Sequence, residues 1–414
     1  MTKLVINGHH ALKGEVGLSG DQQTVMAIQA ASLLATQGTM ILDNVPNTQN
    51  INLMNRLLQT MNVQVDYNRH QNVLKMDATC KIRPLKISGP ALLTSGAILA
   101  RCHHVQLVDN GLNAEYQHDI NAICNGFQKF GATIEKVNEG INVKADKLTG
   151  QNINLESAGL IPTLTMMMAA TLAQGISVLK NPNHNPVVVE LAKVLNKMGG
   201  RVHGAGTDTI RIQGVTFLHS TDYLVLDDQE EAGFYLVLGA ATAGDILVHG
   251  AHPEHLNSLM RILDNMGNTV IVQKNGIRVI GTSLLLSNNI DISEYLQLGK
   301  YDQMAILGLL MLTNGETVVD GFNVDQLNII GNIFMNNDGQ IQHHNHQLKI
   351  IGPLKHYPKT ISTTSTAEGM LSLVFALGVK QITTIDPAEV VSSSFTNLVD
   401  KLVALGAQID LSFD

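Results

Sequence analysis

Several polar residues that could bind a ligand stand immediately before apolar stretches. Asp302 precedes the run QMAILGLLML, a position that predicts a helix N-cap. Gln22 and Gln23 open another apolar stretch, where the free backbone N–H groups of the predicted helix start could hold an anion. Asn113 lies in the stretch DNGLNAEY, whose Asn-Gly pair predicts a turn. Because an amide does not release a proton at neutral pH, Asn113 indicates loop structure rather than acid catalysis.

Histidine and cysteine residues give no sign of a metal site or a nucleophile. A zinc site needs three or four convergent ligands. The histidine-rich stretches fall in predicted strand ends and turns of separate segments, without cysteine at ligand spacing: His249, His252 and His255, then His343, His344 and His346. The cysteines lie in or beside predicted helices and show no nucleophile motif: Cys80, Cys102 and Cys124. The sequence therefore predicts neither a metal nor a cofactor.

Composition limits the class of partner. Of 414 residues, 44% are hydrophobic and 15% are charged, so large cores are expected and disorder is not. The net charge of −8 argues against a surface for nucleic acid or anionic membrane. No apolar stretch reaches the ~18 residues of a membrane span, and the N-terminus lacks the apolar core of a signal peptide. Three cysteines do not suggest a disulfide framework, and the sequence predicts a cytoplasmic protein.

One phrase recurs along the chain as an apolar helical run, a small residue and a short β-type run. It reads LLQTMNVQVDY, FQKFGATIEKV, LNKMGGRVHG, LDNMGNTVIVQ, MNNDGQIQHH and LVALGAQIDL. The anchor residues are 68 to 71 residues apart: Asn62, Gly131, Gly199, Gly267, Asp338 and Gly406. The fifth anchor could shift by two. This regular spacing predicts six copies of one unit of roughly 70 residues.

Each copy is predicted to contain a helix, a strand, a second helix and two further strands. The first helix ends at a tight turn before a β-branched strand, as in ATLAQGISVLKN and AATAGDILVHG. The apolar spacing in PVVVELAKVLNKM predicts the second helix. The stretch VIVQKNGIRVIG predicts the closing hairpin, with Asn275–Gly276 as its turn.

The six copies are expected to form two closed lobes. No copy has the polar face of a capping repeat, which argues against an open solenoid. One lobe is predicted to combine residues 1–20 with residues 228–414, and the other to span residues 21–227, with three copies in each lobe and a cleft between them. The N-terminal strand LVING would then pair within the lobe that contains both termini. The fold class is α/β.

The local phrases of the chain resemble a known family. GEVGLSGDQQTVMAIQAASLLATQGTMILDNVPN, AATLAQG, GTDTIRIQGV and VDKLVALGAQI are similar to phrases of the UDP-N-acetylglucosamine enolpyruvyl transferases, or 1-carboxyvinyltransferases. The resemblance implies an inside-out α/β barrel, with two lobes of three repeats, helices inside and sheets outside. It also implies transfer of an enolpyruvyl group from phosphoenolpyruvate to the 3′-hydroxyl of UDP-N-acetylglucosamine, in peptidoglycan precursor synthesis. A UDP-sugar or similar small molecule is thus the expected partner.

Most positions at which the resemblance implies binding of phosphoenolpyruvate hold other residues in this chain. The family's Lys-Asn pair falls on Gln22 and Gln23. The general acid of the family's mobile loop falls on Asn113. A family arginine falls on His118, and the carboxylate that contacts the uridine side falls near Asn121. The resemblance therefore places these five residues at the substrates but replaces the chemistry of the family.

The C-terminal part of the chain shows the same replacement. Family arginines fall near Asp325 and Glu368, and no Arg follows Arg278 over 136 residues. The resemblance implies that Asp302 is the carboxylate that takes the substrate hydroxyl proton, and that Asp228 is also retained. These carboxylates are expected to face the cleft, which would then be neutral to negative.

The replaced cations weigh against the family reaction. Phosphoenolpyruvate carries close to three negative charges, and a charge-assisted hydrogen bond contributes about 1.5–3 kcal/mol, so the loss of four contacts removes on the order of 10 kcal/mol. The sequence therefore predicts a catalytically impaired paralogue of the family. Two alternatives remain open: an active enolpyruvyl transferase with a rebuilt site, and a nucleotide-sugar-binding or regulatory scaffold protein. The sequence points to no particular protein partner.

Overall fold

The structure is a computed structural model, and the chain forms two compact units. One combines Met1–Ser19 with Asp227–Asp414 and is called the terminal unit; the other, Gly20–Leu226, is called the central unit. Asn113 and Asp325 lie outside the described residues. The structure describes residues 2–108, 114–156, 158–291, 295, 298–321, 329–330, 333–334, 339–344, 347–392 and 395–413.

The helices alternate with strands along the chain. The α-helices within the described residues are α1 (Gln22–Ser32), α2 (Gln49–Thr60), α3 (Ser95–Cys102), α4 (Ala114–Lys129), α5 (Leu160–Leu172), α6 (Pro186–Lys197), α7 (Gln229–Ala241), α8 (Pro253–Asn265), α9 (Lys300–Leu310), α10 (Thr366–Gly378), α11 (Ala388–Ser392) and α12 (Leu398–Ala404). A 3-10 helix, Gly89–Thr94, precedes α3. Among the described helices, none combines the length and apolar character needed to cross a membrane.

The strands are mostly short and group into small sheets. Within the described residues they are β1 (Thr2–Asn7), β2 (Lys13–Gly17), β3 (Ala35–Gln37), β4 (Met40–Asp43), β5 (Gln64–Asn68), β6 (Val73–Asp77), β7 (Lys86–Ile87), β8 (His104–Leu107), β9 (Thr133–Val137), β10 (Gly140–Lys144), β11 (Asn152–Asn154), β12 (Ile176–Lys180), β13 (Val202–His203), β14 (Thr209–Gln213), β15 (Leu218–His219), β16 (Asp222–Leu224), β17 (Asp245–His249), β18 (Thr269–Gln273), β19 (Gly276–Ile280), β20 (Gly315–Asp320), β21 (Ile341–His344), β22 (Gln347–Gly352), β23 (Thr360–Ser362), β24 (Ile382–Asp386) and β25 (Gln408–Phe413).

The sheets of the central unit share one pattern. Their strand orders are β16-β4-β6-β5, β7-β8-β10-β9 and β11-β12-β14-β13, beside the small sheet β15-β3. In each four-stranded sheet the first pair is parallel and the next two pairs are antiparallel. The common order shows that the three sequence repeats of this unit fold alike.

The terminal unit contains related sheets, with orders β18-β19-β17-β2, β20-β22-β21 and β23-β24-β1-β25. Strand β1 runs antiparallel to both β24 and β25, so that Leu4 lies opposite Ile385 on one side and Leu411 on the other. The prediction that the N-terminal strand LVING pairs with the C-terminal part of the chain is confirmed.

The order of elements predicted for the repeat is confirmed in the second, third and fourth copies; for example, the fourth reads α7, β17, α8, β18, β19. The first copy differs by one additional short strand, β3, between α1 and β4. The anchors also share a backbone conformation. Positive φ angles of 72° to 99° occur at Asn62, Gly131, Gly199, Gly267 and Gly406, whereas Asp338 lies outside the described residues. Because a left-handed residue after a helix favours glycine or asparagine, the shared turn explains why these types recur.

The hairpin of β18 and β19 is confirmed, but its turn differs from the prediction by one residue. Gln273 pairs with Gly276, so Lys274 and Asn275 are the two turn residues. Gly276 is already the first residue of β19, with φ of 157°.

Helices fill the centre of each hydrophobic core. Helix α7 is buried from Glu231 to Ala241, and α10 is buried from Ala367 to Leu377. A helix that is apolar on all sides has to be enclosed by other elements. Helix α9 packs against both, and in the central unit α5 packs against α3, α4 and α6. The starts of α7, α9 and α10 are therefore held by a rigid core.

Candidate functional site

Acidic residues mark the starts of the three buried helices of the terminal unit. Asp228 is the N-cap of α7, and its Oδ1 accepts hydrogen bonds from the backbone N–H groups of Glu230 (2.9 Å) and Glu231 (3.1 Å). Asp302 lies in the first turn of α9, and Glu368 lies in the first turn of α10. We call Asp228, Glu230, Asp302 and Glu368 the acidic helix starts.

Glu231, directly after these residues, is fully buried but has partners on both carboxyl oxygens. Lys401 Nζ lies 2.6 Å from its Oε1, and the backbone N–H of Ser19 donates to its Oε2 over 2.8 Å. Lys401 also donates to Ser19 Oγ at 3.1 Å. Burial raises the pKa of Glu231, while Lys401 and the Ser19 hydrogen bonds act in the opposite direction. Sequence reasoning missed this buried ion pair.

Asp302 is in a very different environment, and the prediction that it caps its helix is wrong. Gly299 is the N-cap of α9, and Asp302 follows inside the first turn with 4% of its surface exposed. Its Oδ1 has no hydrogen-bond partner among the described residues, and no described cation forms an ion pair with it. Burial raises the pKa of Asp302 well above its ordinary value, and the charge of Glu230 raises it further. This carboxyl group is therefore biased toward its neutral form.

Gly233 in α7 leaves room for the Asp302 side chain of α9 to lie against the backbone of α7. A Cβ atom added at Gly233 would stand 2.2 Å from Asp302 Oδ1, which is far inside van der Waals contact. In the same way, a Cβ at Gly299 would stand 2.7 Å from Glu230 Oε1. The two carboxyl side chains are thus pressed against the backbone of the opposite helix start, and they are brought close to each other.

Tyr301 connects the three helix starts. Burial, followed by the charges of Glu230 and Asp228, raises the pKa of Tyr301 to about 12, and a hydrogen bond with the side chain of Thr366 in α10 partly opposes this. Its ring packs against Phe395 with centroids 6.0 Å apart. The charges of Asp228 and Glu230 thus act on Tyr301, the residue directly before Asp302 in α9.

Glu368 serves the start of its own helix. Ser365 and Glu368 form a capping box, in which the backbone N–H of Ser365 donates to Glu368 Oε2 at 3.3 Å. The backbone N–H and hydroxyl of Thr364 also donate to the Glu368 carboxylate. With only 7% of its surface exposed, Glu368 has a structural role at the position where the resemblance implied an arginine.

In the central unit, the predicted anion site at the start of α1 is already occupied. Asp21 is the N-cap, and it accepts hydrogen bonds from the backbone N–H groups of Gln23 (3.0 Å) and Thr24 (3.2 Å). The prediction that the N–H groups here are free is therefore wrong for these two residues. Burial raises the pKa of Asp21, and the hydrogen bonds from Thr24 and Gln23 oppose the rise. Gln22 Oε1 is buried without a partner among the described residues.

Two predicted site residues on α4, His118 and Asn121, are exposed. Between them in α4, Asp119 is only 8% exposed. Its side chain lies against the start of α5, because a Cβ on the N-cap Gly159 would stand 2.8 Å from Asp119 Oδ1. Sequence reasoning missed Asp119. Its signal was helical spacing, because it is one turn from the buried Ile123 and therefore faces the core.

The first histidine-rich stretch makes contacts within the terminal unit. His249 Nε2 lies 2.7 Å from Glu15 Oε2, and the rings of His252 and His255 pack edge to face at 6.4 Å. Within the described ranges, no group of three or more His, Cys, Asp or Glu side chains has a geometry that could hold a metal ion. His346 lies outside the described residues.

Comparison with known families gives the class of protein to which this chain belongs. The chain belongs to the enolpyruvyl transferase family, because the family model of EPSP synthase (3-phosphoshikimate 1-carboxyvinyltransferase) matches residues 6–402. Within that class, it is similar to UDP-N-acetylglucosamine 1-carboxyvinyltransferase 1 of Staphylococcus epidermidis, with 32% identity and 99% of each chain covered. The same enzyme of Halalkalibacterium halodurans is 31% identical, with 99% of this chain and 94% of the relative covered. The resemblance seen in the sequence is confirmed.

Solved structures share the fold. The enolpyruvyl transferase NikO from Streptomyces tendae superimposes with a TM-score of 0.84 at 19% identity, covering 99% of both chains. EPSP synthase from Acinetobacter baumannii gives a TM-score of 0.79 at 17% identity, with 100% of both chains covered. At these identities the likeness establishes the mixed α/β fold of enolpyruvyl transferases and leaves the chemistry to the residues of the site.

Proposed function

We propose that this protein is a UDP-sugar-binding member of the family in which enolpyruvyl transfer from phosphoenolpyruvate is impaired. The names of its relatives support a UDP-N-acetylglucosamine ligand. The state of Asp302 carries the second half of the proposal. Family resemblance gives this residue the task of accepting the substrate hydroxyl proton, which only an ionised carboxylate can do. Burial beside Glu230, without a cation among the described residues, favours the protonated acid instead.

The charges at the other helix starts support the same proposal. A helix N-terminus attracts anions through its free N–H groups. Here the Asp21 carboxylate accepts hydrogen bonds from such N–H groups on α1, and the Asp228 carboxylate does so on α7, while Glu368 adds a negative charge in the first turn of α10. A substrate with close to three negative charges would be repelled by these carboxylates. No arginine follows Arg278 in the sequence to offset these negative charges.

The residues proposed to line the substrates remain those that the resemblance selects. In the central unit these are Gln22 and Gln23 at the start of α1, and His118 and Asn121 on α4. In the terminal unit they are Asp228, Asp302 and Glu368. The other two proposed residues, Asn113 and Asp325, lie outside the described residues. We also propose that each unit is an inside-out barrel of three repeats, because buried helices fill its core while the sheets carry exposed faces.

A phosphate-release assay tests the proposed impairment. With phosphoenolpyruvate and UDP-N-acetylglucosamine together, we expect phosphate release at the level of a blank without protein, while the Staphylococcus epidermidis relative gives steady turnover under the same conditions. Calorimetric titration with UDP-N-acetylglucosamine alone should still show binding. Turnover within about tenfold of a typical enzyme's ~10 s⁻¹ would contradict the impairment, and absence of binding heat would contradict the UDP-sugar ligand.

Restoring cations sharpens the assay. The double variant Gln22→Lys, His118→Arg places positive charge where the resemblance implies it. A matched control is Gln128→Lys, which adds a charge at an exposed position of α4. We expect stronger phosphoenolpyruvate binding in the double variant than in the control. Equal binding by the two proteins would show that missing cations at these positions do not limit the substrate.

An active enzyme with a rebuilt site is the second candidate. One observation favours it: Asp302 is retained, and a buried carboxyl group of raised pKa can donate a proton as a general acid. The two candidates separate in the phosphate-release assay, since only the rebuilt enzyme forms phosphate. Loss of that release in Asp302→Asn would then assign the acid role to Asp302.

A further inference from the structure

A cavity of about 480 Å³ lies in the terminal unit, apart from the acidic helix starts. Among the described residues, its lining consists of Ile333, Phe334, Lys355, His356, Tyr357, Pro358 and Gln381. Phe375 of α10 stands directly behind it and is seven residues beyond Glu368, which corresponds to about 10 Å along a helix axis. The volume is in the range of sites for small molecules.

One side of the cavity is built from aromatic and apolar groups. The rings of Phe334 and Tyr357 both pack edge to face on Phe375, with centroid separations of 5.0 Å and 4.9 Å. Phe375 itself is fully buried, so the two outer rings have a firm support. Ile333 and Pro358 are further apolar residues of the lining. Such a surface suits a planar ring that stacks or packs edge to face.

The lining also includes hydrogen-bond donors and positive charge. Gln381 Nε2 is buried and has no hydrogen-bond partner among the described residues. A buried donor in this state gains from any acceptor that a ligand supplies. Lys355 and His356 also line the cavity, and none of its described lining residues is Asp or Glu. The charge of this lining is therefore opposite in sign to the net charge of the chain, which is −8.

We propose that this cavity binds a small aromatic carboxylate. The ring would lie against Phe334 and Tyr357, and the carboxylate would accept one hydrogen bond from Gln381 Nε2 and one from the Lys355 ammonium group. Two donors match the two oxygens of a carboxylate, whereas a free phosphate would leave the aromatic side empty. The proposal concerns a site separate from that of the proposed function and does not rest on it.

Calorimetric titration of the full chain with phenylacetate tests the site, with phenylacetamide and inorganic phosphate as comparison ligands. Phenylacetamide keeps the ring and loses the charge, and phosphate keeps charge and loses the ring. We expect phenylacetate to bind at least about tenfold more tightly than either, since phenylacetamide loses a charge-assisted hydrogen bond and phosphate loses the aromatic and apolar contacts of the ring. Saturating UDP-N-acetylglucosamine should leave phenylacetate affinity unchanged.

Substitutions locate the binding. Lys355→Ala should weaken phenylacetate about tenfold, and because Lys355 is exposed, its replacement does not depend on core packing. Gln381→Leu should weaken it as well. Lys380→Ala removes an exposed lysine next to Gln381 that is not among the cavity-lining residues, and should have no effect. The proposal is wrong if phenylacetate does not bind at millimolar concentration, if phenylacetamide or phosphate binds equally well, if UDP-N-acetylglucosamine displaces it, or if Lys355→Ala matches the control.

Discussion

Two buried carboxyl groups in the same unit, Glu231 and Asp302, differ in what surrounds them. Glu231 has Lys401 at 2.6 Å and the Ser19 amide at 2.8 Å, so each oxygen has a partner. Asp302 has an unpaired buried oxygen and an acidic neighbour in Glu230. Both groups are removed from water, but only the first gains a compensating charge.

The difference in charge compensation distinguishes a carboxyl group that stabilises the fold from one that suits a functional site. A buried acid with a lysine partner holds elements together, and here it ties α12 to α7 and to the chain at Ser19. A buried acid without a partner lowers the stability of the fold and persists where the site uses it. On this basis, Glu231 has a structural role in the terminal unit, whereas Asp302 is the buried carboxyl group whose charge is not compensated among the described residues.

Removal of Lys401 should have the largest effect on this comparison. Lys401→Met leaves Glu231 buried without its cation, and loss of one partner of a buried pair costs about 3–5 kcal/mol of unfolding free energy. Chemical denaturation measures it. Lys349→Met is a matched control, because Lys349 forms a more exposed pair with Glu316 at 2.8 Å and should matter little. The double variant Lys401→Met, Glu231→Gln should recover much of the loss; without recovery, the ion pair is not the cause.

Gly233→Ala should have the next largest effect, because the new methyl group would collide with the Asp302 carboxyl group. Overpacking of a core costs about 1–3 kcal/mol, which a thermal or denaturant unfolding curve resolves. Gly17→Ala is the control, since a Cβ there meets nothing within 4 Å. Combination with Asp302→Ala should remove most of the loss, and an additive result would contradict contact between the two positions.

Asp302→Asn should give a smaller effect of opposite sign. The amide removes the charged state of a buried, unpaired group, so we expect a gain of about 1 kcal/mol at neutral pH. Because folding raises the pKa of Asp302, the wild-type group is stabilising below its ordinary pKa of 3.8 and loses that contribution as pH rises through the folded pKa. The advantage of the variant should therefore grow upward from about pH 4 and then level off.

Denaturation at a series of pH values measures this difference. Asp264→Asn, at an exposed position of α8, should show no such growth. A stability difference that is constant with pH would mean that Asp302 titrates normally in the folded protein.

The repeat could be read from the sequence because its turns demand particular residues. Gly131, Gly199 and Gly267 share a left-handed conformation, and a single sequence shows that requirement directly. The pairing of β1 with the C-terminal part of the chain followed from the same regularity, since this strand precedes the first full copy. Local chemistry with a fixed spacing is thus predictable without the structure.

The candidate site was less predictable because its contacts cross long distances in the chain. Glu231 and Lys401 are 170 residues apart, and nothing local to either residue marks the pair. At Asp302, an aspartate before an apolar run favours a cap, but Gly299 begins the helix three residues earlier. At α1, the prediction named Gln22 and not Asp21, although the type and position of Asp21 are those of an ordinary N-cap.

Binding of phosphoenolpyruvate to the UDP-N-acetylglucosamine-saturated protein is the most direct measurement of the central claim. The claim is that this chain lacks cations at positions where the resemblance implies them: Gln22 and His118 occupy two of these positions, and Glu368 lies near a third. Calorimetric titration, run in parallel on the Staphylococcus epidermidis relative, should show binding to the relative and no measurable heat for this protein up to millimolar phosphoenolpyruvate. Saturable binding of comparable affinity in both proteins would contradict the claim.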